Sequence, residues 1–194
     1  MTAPDAQWQV EIAFESAFFL EVPTDARSGD VAGLDAWVGD AVSTWNHAAQ
    51  WAGDAAGVGA RLAGQVALLS PHAFAAFLFC PRGVPADALV EVFLVDTDAT
   101  SLAEIDASAQ VALPQRVRDI VSPSLGEGRV IASVSALEDG AVVGQLRYQF
   151  LADGVQVETT VVSSDLGMLG SGLELFDALA SGISVARRER TDAA

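Results

Sequence analysis

The chain has 194 residues, of which 51% are hydrophobic, and a formal net charge of −16 from 26 acidic and 10 basic side chains, every basic one an arginine. A chain of this length and composition can bury a core without disulfides or metal, which excludes a disordered protein. The charge disfavours nucleic acids and anionic membranes as partners, because binding to phosphates requires a cationic surface.

The acidity leaves two interpretations open: it keeps the protein in solution, or it steers a basic protein partner towards it. Residues 1–10 lack the basic and apolar regions of a signal peptide, and no apolar stretch reaches the roughly 18 residues that a membrane span requires. We therefore predict a cytoplasmic protein with one domain over residues 1–190 and a frayed tail over residues 191–194.

The first elements are two strands and a helix. The alternation of apolar and polar residues over Trp8–Glu15 predicts a half-buried strand, and Phe18–Val22, which ends before a proline, predicts a second one. Apolar residues then recur every three or four positions over Val31–Gln50, which predicts a helix with Asp30 as its N-cap.

Glycines weaken the helical pattern beyond this point. Each glycine disfavours a helix by about 1 kcal/mol relative to alanine, and four follow closely: Gly53, Gly57, Gly59 and Gly64. We therefore predict that the helix ends near Gly53–Gly59 and that Arg61–Leu69 forms a strand.

The middle of the chain predicts two more strands and a helix. Ala73–Cys80 is apolar on both faces, as expected of a central strand, and Ala88–Val95 is nearly all apolar as well. Ser101 and Glu104 have the spacing of a capping box. They predict a helix that runs to Leu113, or slightly beyond Pro114 to Ile120.

The clearest pattern is an antiparallel meander of three strands. The strands are Val130–Leu137, Ala141–Leu151 and Val155–Ser163, and Asp-Gly pairs at 139–140 and 153–154 predict tight turns between them. The alternation in the second strand predicts that one set of side chains points inward: Val142, Leu146, Tyr148 and Phe150. The other set is predicted to point outward: Gln145, Arg147 and Gln149.

A second capping box, Ser171–Glu174, predicts a closing helix. Its apolar positions are Leu173, Phe176, Ala180 and Ile183, and Arg187, Arg188 and Arg190 follow its C-terminus. Strands paired in a meander, with helices interposed, indicate the α+β class.

No stretch of the chain has the pattern of a catalytic, metal or cofactor site. Asp96, Asp98 and Thr100 are spaced like the start of a calcium loop, but Ser101 and Ala107 occupy the positions that need a glycine and a carboxylate. We interpret this segment as a solvated loop.

Other possible sites fail on spacing or context. Gly167, Gly170 and Gly172 match neither the dinucleotide fingerprint nor a P-loop and are interpreted as a turn before a helix. Cys80, the only cysteine, ends an apolar strand and is interpreted as a buried structural thiol. His47 and His72 have no zinc-ligand spacing.

Three tryptophans cluster in and after the first long helix: Trp37, Trp45 and Trp51. They either pack in the core or form a partly exposed patch that binds a partner. They are the best candidate site residues that the sequence offers.

The order of elements, with Phe18–Pro23 near its start and Leu175–Ile183 near its end, resembles the PsbP/Mog-type superfamily over residues 8–186. Small actinobacterial members are similar, and a lysine-free composition rich in Ala, Gly, Val and Asp is typical of such organisms. The resemblance implies an α/β/α sandwich on a mainly antiparallel sheet, with no catalytic residues to carry over. Exported members carry a lipobox cysteine, whereas Cys80 lies mid-chain, which argues against an envelope role.

Three functional hypotheses follow. The first is a non-enzymatic interaction or assembly protein. Its acidity would favour a basic protein partner. The alternative is a carrier of small apolar ligands with a pocket between sheet and helix. The third is an enzyme that uses Glu91 or Asp96 at a strand end as a general base.

Overall fold

Helices occupy much of the first third of the chain and antiparallel strands most of the rest, which confirms the α+β class. The computed structural model describes residues 8–49, 55–81, 87–105, 113–137 and 140–187. The strands are β1 (Trp8–Ile12), β2 (Phe19–Glu21), β3 (Ala75–Phe79), β4 (Leu89–Asp96), β5 (Arg116–Ser122), β6 (Gly126–Ala136), β7 (Val142–Ala152), β8 (Val155–Ser163) and β9 (Ile183–Arg187). The helices are α1 (Thr24–Arg27), α2 (Val31–Ala49), α3 (Ala55–Val66), α4 (Leu166–Ser171) and α5 (Leu173–Ser181), with a 3-10 turn at Leu102–Glu104.

Seven strands form one antiparallel sheet in the order β2-β3-β4-β8-β7-β6-β5, and β1 pairs with β9 in a separate ribbon. The predicted meander is confirmed as β6, β7 and β8. Asp153 and Gly154 both have positive φ, 51° and 83°, as a type I′ turn requires. Because β4 pairs with β8, the two edges of the sheet are β2 and β5.

Each face of the sheet has its own core, because alternate side chains of a strand point to opposite faces. On the first face, Phe77, Phe79, Tyr148 and Phe150 pack with Phe176 of α5, and the β1–β9 ribbon packs beside them. We call this cluster the first core.

The second core lies on the other face, at the β2–β3 end of the sheet. Leu78 and Cys80 pack there against Leu62 and Val66 of α3 and against Val22. The predicted buried position of Cys80 is confirmed.

Arg27 is buried beside the second core and ties α1 to the loop before β3. Its Nε donates to the Val22 carbonyl at 3.2 Å and its Nη1 to the Ala73 carbonyl at 2.9 Å. Burial lowers the pKa of the Arg27 guanidinium, while the charge of Glu91 acts in the opposite direction.

The prediction of a strand over Arg61–Leu69 is wrong, because this segment continues α3 as far as Val66. Gly57, Gly59 and Gly64 lie within the helix. A Cβ on Gly59 would come within 3.3 Å of the Val38 side chain, so this glycine lets α3 approach α2 closely. Packing of the apolar side of α3 against the second core offsets the intrinsic preference of glycine for coil.

The prediction of a helix from Ser101 is wrong at its start. In the described part of the segment the chain forms the 3-10 turn, and Ile105 is already extended. The Glu104 carboxylate accepts from the Thr100 backbone N–H and from the hydroxyls of Ser101 and Thr100, and these bonds lower the pKa of Glu104. Residues 106–112 of the predicted helix lie outside the described residues.

The extension of this helix to Ile120 is also wrong, because Arg116–Ser122 is strand β5. Val117, Ile120 and Val121 have the spacing of one side of a helix, so the sequence pattern alone did not exclude a helix. Its pairing with β6, from Arg116 opposite Ala132 to Ser122 opposite Gly126, determines its conformation.

The capping box predicted at Ser171–Glu174 does not form. The Asp165 carboxylate instead caps α4 by accepting from the Met168 N–H at 3.0 Å. Gly172 then separates α4 from α5 and serves as the N-cap of α5 without a side-chain bond.

The closing helix ends earlier than predicted. After Ser181 the chain turns into β9, so Ile183 and Arg187 are strand residues. The Arg187 guanidinium lies 5.8 Å from the ring centre of Trp8 in the paired strand. Arg188 and Arg190 lie outside the described residues.

Candidate interaction surface

Trp37 is half-buried on α2 and packs against the second core. Its indole Nε1 donates to the Glu21 carbonyl of β2 at 3.0 Å. Backbone groups on the outer side of an edge strand have no ladder partner, so this bond occupies one of the acceptors of β2.

The predicted patch of three tryptophans is only partly within the described structure. The side chain of Trp45 and the whole of Trp51 lie outside the described residues. Their role in partner binding therefore stays a prediction.

Strand β5 is the more open edge of the sheet. Val117 and Val121 point to the second face and are 59% and 68% exposed. Within the described ranges, no side chain forms a hydrogen bond with the backbone N–H or C=O groups of residues 116–121. The sequence did not predict this surface, because the pattern around Ser101 and Pro114 favoured a helix here.

A polar cluster fixes β5 to the helix layer. Nη2 of Arg118 donates to both oxygens of Asp177 on α5, at 2.5 and 2.7 Å, and the Tyr148 hydroxyl donates to Oδ1 of the same carboxylate at 2.8 Å. The Ser122 hydroxyl also donates to the Ser181 carbonyl at 2.7 Å. These bonds therefore hold the edge strand to α5.

Burial of Tyr148 is the largest reason why the pKa of its phenol is raised above the ordinary value, and the adjacent Asp177 charge raises it further. The hydroxyl therefore stays protonated and continues to donate to Asp177 at ordinary pH. The carboxylate is in turn held between the Tyr148 hydroxyl and the Arg118 guanidinium.

A second polar cluster crosses the second face of the sheet and corrects two side-chain predictions. Gln149 is fully buried rather than outward, and it links Arg129 at 2.8 Å to Glu158 at 2.7 Å. Arg147 forms an ion pair with Glu158 at 3.0 Å. Val142, predicted to point inward, is exposed. Because these charges are mutually bonded, we assign this cluster to stabilising the sheet.

An open apolar groove of about 320 Å³ adjoins the start of β5. Leu113, Pro114 and Arg116 line it from the β5 side, and Leu166 and Leu169 of α4 line the opposite wall. Leu113 and Leu166 are exposed. The groove extends the β5 surface and adds an apolar recess beside the Arg116 side chain.

Another open cleft lies between the β1–β2 connection and α5. It has a volume of about 300 Å³ and is lined mainly by apolar side chains, including Phe14, Phe19 and Leu175, with Glu15 beside them. This is the place where the structure could hold a small apolar ligand.

The proposed acid–base residues are engaged in hydrogen bonds. Glu91 accepts from the Ser70 N–H at 2.6 Å, and Asp96 accepts from the Trp8 indole at 3.1 Å. Cys80 is buried in the second core, and His72 is exposed. His47 lies in α2, and its side chain is outside the described residues.

The two weak motifs do not form ligand cradles. Gly167 and Gly170 lie within α4 rather than in a flexible turn, and Gly172 joins α4 to α5. Asp96 and Asp98 line an open polar hollow with Asp153. Within the described ranges, no group of three His, Cys, Asp or Glu side chains converges in a way that could hold a metal ion.

Comparison of the chain with protein-family models and with curated proteins finds no match. In the part of the chain that the structure describes, no helix has the length and apolar character needed to cross a membrane.

Proposed function

We propose that the protein is a non-enzymatic interaction or assembly protein, which binds an extended segment of a protein partner as an additional strand along β5. The observation that supports this proposal most directly is the open β5 edge with its two exposed valines. In strand addition, main-chain hydrogen bonds provide affinity and alternate side chains provide specificity.

The position of β5 favours this mode of binding. The strand is seven residues long, and Arg118 and Ser122 hold it to α5. A binding edge that is already ordered does not lose conformational entropy when the partner docks. The exposed valines then offer cross-strand partners to apolar side chains of the added segment.

Paired variants test the proposal. Val117→Lys with Val121→Lys places two charges on the edge, and lysine on an exposed edge opposes strand addition. Val31→Lys with Leu68→Lys adds the same charge at two side chains of similar exposure, 70% and 72%, on α2 and after α3. Partners captured by the wild-type protein from its native extract should be lost only with the edge variant. Equal loss or equal retention with both variants would contradict the proposal.

We also propose that the protein is related to the PsbP/Mog-type superfamily, that it is an α/β/α sandwich, and that it is cytoplasmic, as expected from the sequence. Helices packed on both faces of an all-antiparallel seven-stranded sheet support it. β2 lies within Phe18–Pro23 and α5 covers Leu175–Ser181, the two segments on which the resemblance rests, although β9 follows α5.

The cleft beside α5 favours a carrier of small apolar ligands as a second candidate function. Its volume of about 300 Å³ is at the lower end of the range of ligand pockets. Ala178→Trp would fill the cleft from an exposed position on α5. A saturable rise in melting temperature with a medium-chain fatty acid, abolished by Ala178→Trp, would support the carrier, and no rise at any concentration would remove it.

A further inference from the structure

The charges along β5 are distributed unequally between the two faces of the sheet. Arg116 points to the first face and Asp119 to the second, where it lies between Val117 and Val121. Neither Arg116 nor Asp119 forms an ion pair within the described ranges, whereas Arg118 is already paired with Asp177. Asp119 lies directly opposite Arg129 of β6, and Arg116 lies opposite Ala132. On the open side of β5, both charges are available to an added strand.

A second copy of the chain does not complement this pattern. In a symmetric antiparallel pair of β5 strands, residues that lie opposite each other point to the same face of the sheet. The twofold axis must therefore pass between two copies of the same residue. Centring on Asp119 or on Arg118 places two identical charges opposite each other, and centring on Val117 places Arg116 opposite Arg118. Centring on Ile120 places the two Asp119 carboxylates at diagonal positions on the same face. Like charges directly opposite destabilise a sheet, and each copy carries a net charge of −16.

We propose that β5 selects an extended segment of a different protein by its charge pattern, an inference that rests on the proposed function. In an antiparallel arrangement, like every other pair in this sheet, the segment has a basic residue opposite Asp119 and an acidic residue opposite Arg116. Apolar residues lie opposite Val117 and Val121.

The groove at the start of β5 adds one more requirement. A residue opposite Pro114 lies on the same face as the residue opposite Arg116, because side chains two positions apart share a face. The groove beside Arg116 is apolar and has a volume of about 320 Å³. The partner segment therefore has a large apolar residue two positions after its acidic one.

Two peptides of identical composition test this pattern. The matched peptide is Val-Thr-Lys-Thr-Val-Glu-Thr-Leu, which places Lys opposite Asp119 and Glu opposite Arg116. The swapped peptide exchanges the Lys and the Glu. We expect the matched peptide to bind about tenfold more tightly in a fluorescence-anisotropy titration of the full chain, because two attractive cross-strand pairs become two repulsive ones.

Charge reversal on the protein provides the complementary test. Arg116→Glu with Asp119→Lys should invert the preference between the two peptides. Arg61→Glu with Asp35→Lys makes the same changes at exposed positions on α3 and α2 and should leave the preference unchanged. Both double variants preserve the net charge of the wild-type protein, so long-range electrostatics is matched.

The outcomes separate this inference from the proposed function. If both peptides bind equally and Val117→Lys with Val121→Lys abolishes both, strand addition stands and the charge pattern is overturned. If neither peptide binds at about 1 mM, both are overturned. If the protein alone sediments as a dimer that the same lysine variant dissociates, the occupant of the edge is a second copy, and selection of a different protein is overturned.

Discussion

At one edge of the seven-stranded sheet, β2 is three residues long, ends before Pro23 and has its Glu21 carbonyl bonded to Trp37. At the other edge, β5 is seven residues long, and Val117 and Val121 on it are exposed. Natural sheets protect their edges by shortness, proline, cover or charge. A proline follows both strands, Pro23 after β2 and Pro123 after β5. β2 is also short and covered by Trp37, whereas β5 is longer and has charged residues instead.

The two edges also differ in what holds them. Phe19 of β2 is buried in the first core and packs against Phe79 and Phe176, with ring centres 5.4 and 6.1 Å apart. β5 is held to the helix layer by the Arg118–Asp177–Tyr148 cluster. The attachment of β2 is therefore apolar, whereas that of β5 is polar.

The largest expected effect concerns the apolar attachment. Phe19→Ala should lower the free energy of unfolding by about 3–5 kcal/mol, because it removes a buried aromatic ring from the first core. Val117→Ala on β5 should change it by less than about 0.5 kcal/mol, since this side chain is exposed. Urea denaturation of both variants checks the difference, and similar losses at the two edges would contradict the comparison.

The polar attachment should be weaker but measurable. Asp177→Ala leaves the buried Tyr148 hydroxyl without its acceptor and should cost about 1–3 kcal/mol. Glu174→Ala on the exposed side of the same helix is the control. Adding Tyr148→Phe to Asp177→Ala should restore part of the loss, and an additive further loss would show that the hydroxyl does not depend on Asp177.

At alkaline pH, deprotonation of Tyr148 should lower the free energy of unfolding, because the phenol then no longer donates to Asp177. The pKa of Tyr148 is raised in the folded state, so the protonated phenol stabilises the fold below the unfolded pKa of about 10. Above that pH, stability should fall by up to about 1.4 kcal/mol per pH unit until the folded pKa is reached. Tyr148 is the only tyrosine, so phenolate absorbance reports this group alone. The chain has no lysine, so no lysine side chain titrates in the same pH range. Tyr148→Phe should flatten the dependence.

A smaller loss is expected for Trp37→Phe, which removes the bond to the Glu21 carbonyl and keeps most of the ring packing. We expect a loss of about 0.5–1.5 kcal/mol. Hydrogen exchange should become faster at the amides of β2 but not of β5. Unchanged exchange at β2 would mean that the indole N–H does not protect this edge.

The sequence predicted the meander well because its strands alternate cleanly and an Asp-Gly pair marks the turn at residues 153–154. It did not predict β5, since Arg116, Arg118 and Asp119 leave this edge strand without a continuous apolar side. It also did not predict α3, because Gly59 is favoured by close packing with α2, which intrinsic propensity cannot represent.

The candidate surface was less accessible to sequence reasoning than the fold. Exposure of Val117 and Val121 depends on β5 being the last strand of the sheet, and this order is set by the distant pairing of β4 with β8. Trp37 was predicted as a site residue, and the structure shows that its indole contacts a backbone carbonyl of the protected edge.

The ladder between β4 and β8 also bears on how quickly the chain reaches its native state. Leu89 pairs with Val162 and Asp96 with Val155, so this ladder joins segments that are far apart in the chain, whereas β6, β7 and β8 are joined by short turns. The chain loses conformational entropy when a long loop closes, before the non-local contacts can form, and this slows folding. We expect the meander to acquire protected amides first in pulse-labelling experiments, and the joining of β4 to β8 to be the slow step that gives the sheet its two unequal edges.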